Sequence, residues 1–166
     1  LRLQLRAMLI AGAGHHLKIM FPMIADVAEY LRAKEVFDRE FAYLTKRNVV
    51  LPESVKLGVM IEIPSLLWQL DHLFPVIDFA SIGSNDLVQF LFASDRGNPR
   101  LAHRYDTLSP AVLSLLRELI ATSGKARGGM ADGVLIDRRL RYRTSRRDRS
   151  HRRAAAPHVH RAFQHG

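Results

Sequence analysis

Apolar residues fall into two alternating rhythms along the first 125 positions. Leu3, Leu5, Met8 and Leu9 are spaced as the end of a helix, with Gly12 and Gly14 as its stop. "LKIMFPM" (17–23) then predicts a short buried strand. Over 26–46 the spacing returns to helical, with Val27, Tyr30, Leu31, Val36, Phe37, Phe41 and Leu44 on one face. "VKLGVMIEI" (55–63) is almost wholly apolar, the pattern of a strand covered on both faces. Pro64 and Ser65 open a helix through Leu73, "VIDFASIG" (76–83) predicts a third strand, and helical spacing recurs at 87–93 and 111–121. Strand and helix alternating through loops of ordinary length predict an α/β fold with parallel strands.

From Arg127 onward the pattern dissolves, and no ordered core element is expected there. Charge divides at the same place. Residues 1–126 hold 14 Lys+Arg against 13 Asp+Glu, whereas 127–166 hold 11 Arg, no Lys and 3 Asp, so nearly all of the net +9 belongs to the tail. A near-neutral body gives no reason to expect a nucleic-acid surface there. The chain therefore divides into a domain at 1–125 and an Arg/His-rich tail at 126–166. The tail reads either as a disordered basic arm or as a GC-rich gene translated out of frame, since arginine is its only basic residue apart from histidine.

With 166 residues and 48% apolar content, one sizeable core is expected. No run of about 18 apolar residues predicts a membrane span, and the first residues lack a secretory pattern, so the expected location is the cytoplasm. The chain has no cysteine, which removes disulfides, zinc-thiolate sites and thiol nucleophiles.

Candidate chemistry lies where polar residues interrupt the apolar runs. Glu62 closes an apolar strand, either pairing with a nearby Lys or Arg or serving a ligand, because carboxyl ends of parallel strands are where ligand groups gather. Asn85 and Asp86 follow the third strand at the equivalent place, where helix capping is the simpler role for either. Together Glu62 and Asp86 suit a hard cation such as Mg²⁺, which takes one or two carboxylates. Arg96, beyond the next short helix, offers a planar donor fork for phosphate or carboxylate. Arg6 is a second candidate, or simply a solvated helix arginine. Met20, Met23 and Met60 read as core filling, His15 and His16 as solvent-facing, and Ser81 and Ser84 have no His–Asp pattern for nucleophilic catalysis.

The segment "DFASIGSNDLVQFLFASDRGN" (78–98) resembles the second signature of the phosphoenolpyruvate-utilising enzymes, among them Enzyme I of the sugar phosphotransferase system. Ala80 departs from it, standing where a larger apolar residue is usual. "LGVMIEIPSLLWQLD", "LKIMFPMI" and "LQLRAML" resemble the same barrel domain in order and spacing, and the wording of 83–99 looks most like the nitrogen-related paralogue. The resemblance implies a partial (β/α)8 TIM-type barrel, with Glu62 and Asp86 as Mg²⁺ ligands and Asn85, Arg96 and Arg6 on the phosphate of phosphoenolpyruvate. It implies phosphoryl transfer to an enzyme histidine and on to a histidine phosphocarrier protein, with pyruvate released, in a parent that is a cytoplasmic homodimer. A full barrel needs about 250 residues, so part of it is expected to be missing, along with an "RTE" arginine and the phosphohistidine domain. The family's cysteine segment should begin at Gly124-Lys125, but the chain reads "GKARGGMADG". That break coincides with the change in composition and favours the out-of-frame reading. The expectation is a phosphotransferase fragment inactive alone; the alternatives are a phosphoenolpyruvate-binding pseudo-enzyme or a tail-driven nucleic-acid binder.

Overall fold

The computed structural model describes residues 1–95, 97–101, 104, 106–125 and 134–136. Helices α1 (Arg2–Ala11), α2 (Val27–Thr45), α3 (Leu70–Leu73), α4 (Ser84–Leu91) and α5 (Pro110–Lys125) alternate with strands β1 (His16–Phe21), β2 (Ser54–Ile61), β3 (Phe79–Ile82) and β4 (Val134–Ile136). The strands form one sheet in the order β1-β2-β3-β4. All three pairings are parallel, with His16 opposite Ser54, Gly58 opposite Phe79 and Ala80 opposite Val134.

Strand β4 lies past Arg127, in the stretch where no ordered core element is expected. Val134, Leu135 and Ile136 are an apolar, largely β-branched triplet that suits the pleated edge offered by β3. A run of three is too short to stand out as a period in so basic a stretch. The rest of the tail, on which the disordered-arm and out-of-frame readings turn, lies outside the described residues.

Side-chain alternation along the strands sends Ile19, Phe21, Leu57, Val59, Ile61, Ala80 and Ile82 into the core. Leu5 and Leu9 of α1, one helical turn apart, meet them there with Tyr30, Phe37 and Leu44 of α2 and Leu66, Leu70, Leu73 and Phe74 of the β2–β3 connection. Full burial of each such side chain contributes roughly 1.5–3 kcal/mol. The expected helix over 64–73 starts as a 3-10 turn at Pro64–Gln69 before α3, and a second 3-10 turn covers Phe74–Val76. That turn shortens β3 relative to its apolar run. Asp78 then locks β3 to β2: its Oδ2 accepts from the Leu57 N–H at 2.7 Å, and its own N–H donates to the Leu57 carbonyl at 2.8 Å.

The other sheet face is mixed, so β2 is not covered on both sides as its apolar run predicted. Lys56 and Met60 are half-buried, whereas Gly58 is buried, with Phe79 beside it. A Cβ at Gly58 would stand 2.4 Å from the Phe79 carbonyl oxygen and 2.8 Å from its ring, so close approach demands glycine there.

Helix α2 shows what the spacing does and does not reveal. Asp26 caps it, accepting from the Glu29 N–H at 2.7 Å, while Glu29 accepts from the Ala25 N–H at 2.9 Å. Tyr30, Phe37 and Leu44 are buried as predicted, whereas Leu31 is exposed and Glu40 is buried along with the apolar face. The cause is a charge clasp: both carboxylate oxygens of Glu40 are taken, Oε1 by Arg2 Nε and Oε2 by Arg6 Nε.

Candidate functional site

Three chain segments converge at the carboxyl ends of the strands. Glu62, the residue after β2, is 3% exposed, and its Oε1 accepts from the Met23 N–H at 2.7 Å. Gly83, the residue after β3, lies on its other side. A Cβ at Gly83 would fall 2.7 Å from Glu62 Oε2 and 2.9 Å from its Cβ, so only glycine lets β3 end this close to the carboxylate. Helix α4 begins at once, with half-buried Asn85 and Asp86 in its first turn.

The electrostatics tie Glu62 to Asp86. Burial pushes the Glu62 carboxyl up from its ordinary value, the Met23 N–H pulls it down, and the negative charge of Asp86 pushes it up again. A buried carboxylate raised in part by the charge of a second acid at the strand ends is an arrangement that a cation relieves. Among the described residues no three His, Cys, Asp or Glu side chains cluster as a closed metal cage. The donor set is therefore two hard oxygens from neighbouring strand ends, which fits Mg²⁺ with its other positions left to water or ligand.

The loop that presents Met23 is itself fastened. Ser65 Oγ donates to the Ala25 carbonyl at 2.8 Å, and Gln69 Oε1 accepts from the Val27 N–H at 3.2 Å. Met23 does not fill the core as its residue type suggested: it is 49% exposed, with φ at 57°. The functional group at that position is the peptide N–H, which no residue type advertises. His15 and His16 are exposed, as expected.

Glu62, Asn85 and Asp86 are thus brought to one end of the sheet. Arg6 is not. Its guanidinium engages Glu40 and lies 4.0 Å from the centre of the Tyr43 ring, and the Glu40 carboxylate raises its pKa. Glu40 stands 13 residues after Val27, about 20 Å along the α2 axis from the end that faces Glu62. An arginine committed there has its charge answered by a buried acid at the opposite end of the layer. Arg96 lies outside the described residues.

The sheet places this domain in the broad class of parallel α/β folds, in which the carboxyl ends of the strands are where ligands gather. The particular family follows from comparison. Residues 1–132 match the family described as "PEP-utilising enzyme, PEP-binding domain", and the chain belongs to it. The match runs past residue 125, the expected domain boundary. The chain is 43% identical over 124 residues to the phosphoenolpyruvate-protein phosphotransferase of Priestia megaterium, covering 75% of this chain and 22% of the relative. Identity is 42% over 124 residues to the protein of that name from Listeria monocytogenes, covering 75% and 22%, and 40% over 119 residues to that of Lactococcus lactis, covering 72% and 21%. The chain thus spans about a fifth of the length of these relatives. Among the described residues no helix is long and apolar enough to cross a membrane.

Proposed function

We propose that this chain supplies the phosphoenolpyruvate- and Mg²⁺-binding part of a cytoplasmic phosphoenolpyruvate-protein phosphotransferase and binds ligand without turning it over. The observation that carries the reading is the Glu62–Asp86 pair at adjacent strand ends in a chain of this family. Parallel strands laid side by side in chain order are the winding of a (β/α) barrel, and the four-stranded sheet is read as an arc of one.

In this reading Glu62 and Asp86 would hold Mg²⁺, which when bound neutralises charge on the phosphate and the adjoining carboxylate of phosphoenolpyruvate. Asn85, at the head of α4, donates its amide to a phosphate oxygen, and Arg96 adds a planar cationic fork. Gly83 keeps the floor low enough for ligand to approach Glu62. The protonation step that the resemblance assigns to a cysteine finds no thiol in this chain. Phosphoryl transfer to a histidine phosphocarrier protein, sugar transport and homodimerisation are properties proposed for the complete enzyme. The segment 83–99 favours its nitrogen-related form.

Calorimetric titration of phosphoenolpyruvate tests this. Binding is expected with Mg²⁺, lost in chelator, and lost in Asp86→Ala and Glu62→Gln. Binding that persists without a divalent cation, or survives both substitutions, overturns the reading. Pyruvate release on adding a family phosphohistidine domain would show turnover and overturn the inactive assignment.

A further inference from the structure

Met23, Asn48 and Ala93 are the non-glycine described residues at positive φ. Asn48 lies in the turn that ends α2 and Ala93 just after α4, places where chains commonly reverse into the left-handed region. Met23 has no such excuse. It follows Pro22 between β1 and α2, and a left-handed backbone crowds its Cβ against its own carbonyl. The conformation brings its N–H to Glu62 Oε1 at 2.7 Å. It is held from outside: Ser65 and Gln69, both from the segment just after Glu62, bond to Ala25 and Val27 just after Met23. With Oε1 occupied by the peptide, Oε2 lies against Gly83 at the start of the helix that carries Asp86.

We propose that the left-handed Met23 peptide, pinned by Ser65 and Gln69, is a positioning group that fixes the Glu62 carboxylate so that Oε2 serves a divalent cation together with Asp86. The inference rests on the reading of Glu62 as a metal ligand. The thioether contributes nothing to it; the backbone does. Local strain is held in place by surrounding contacts because it aims a donor, and a carboxylate oriented by such a bond needs no reordering when a cation arrives.

The test is Mn²⁺ binding to the full 166-residue chain, followed by electron paramagnetic resonance, with melting temperature and the Met23 amide signal recorded for each variant. Met23→Gly keeps the N–H and adopts positive φ without penalty, so its Mn²⁺ affinity stays within about twofold of the parent. Met23→Val resists that conformation, and Gln69→Ala loosens the loop; each is expected to weaken Mn²⁺ binding about 10-fold or more. A role confined to folding would move the melting temperature and leave affinity alone. Gly and Val variants equally weakened, or Val and Gln69→Ala both at parental affinity, overturn the proposal. If the parent takes up no Mn²⁺, the metal reading fails by itself. The Met23 amide then decides the hydrogen bond: slow exchange and a shift on Glu62→Gln uphold it, while exchange as fast as neighbouring loop amides removes it.

Discussion

Glu40 and Glu62 are both buried glutamates of one small domain, and they have opposite surroundings. Glu40 is 1% exposed and answered by two guanidinium groups, so Arg2 and Arg6 hold its carboxyl below its ordinary value. Glu62 is answered by one peptide N–H and faces a second acid, so its carboxyl is raised. The first arrangement is complete as it stands. The second sets a buried carboxylate beside another acid, with burial and that charge both raising it. Burial alone therefore does not set the state of a carboxylate; the sign of its company does.

The largest break in this comparison is expected from Glu40→Ala, which leaves Arg6 facing Tyr43 with no acid and should lower the urea midpoint further than loss of either arginine or of Gly83. Arg6→Ala should cost more than Arg2→Ala, because the Arg2 side chain is 71% exposed and the Arg6 side chain 27%, and solvent screens the former. Next, Gly83→Ala drives a methyl into the Glu62 carboxylate and should cost roughly 1–3 kcal/mol in chemical denaturation, with loss of divalent binding.

Glu62→Gln sharpens the contrast by reversing the sign. In chelator at neutral pH it should raise the urea midpoint, because an amide accepts from Met23 without a buried charge beside Asp86, while ligand binding disappears. The pH dependences diverge accordingly. Glu40 has a lowered folded pKa, so its stabilisation is present above the ordinary glutamate value and is lost as pH falls through the lowered one. Glu62 has a raised folded pKa, so the metal-free chain is favoured at low pH and loses that advantage as pH climbs through the raised value. Urea midpoints of Glu40→Gln and Glu62→Gln measured against the parent from acid to neutral pH should therefore separate in opposite directions. The smallest effect belongs to the solvated pair on the same helix: Lys34 donates to Asp38 at 2.7 Å, and Asp38→Ala should cost only about 0.3–0.5 kcal/mol.

Much of the layer structure was legible in the apolar spacing. Helices α1 and α2 and the first three strands follow from residue type and period. Strand β4 was not, because three apolar residues carry no period of their own and are recruited by the edge of β3. The Glu40 clasp was hidden because partners 34 and 38 residues away leave no local trace, so nothing in the sequence tied Arg6 to Glu40. At the candidate site, Glu62, Asn85 and Asp86 were visible as polar residues where apolar strands end. The Met23 peptide was not, since a backbone donor is the same in every residue and only the turn of the chain gives it direction.

The order of the strands in space repeats their order in the chain, and this has a bearing on how the sheet is made. The first pairing, His16 to Ser54, closes 38 residues, and the next, Gly58 to Phe79, closes 21. Closure cost grows only with the logarithm of such distances, so neither step is prohibitive. An order of this kind allows each strand to meet a partner already made, so that the sheet can lengthen by one strand at a time. The growing edge is always the newest strand, whose backbone donors and acceptors await the next. The delay between one strand and its successor is the interval in which a neighbouring nascent chain can pair there instead.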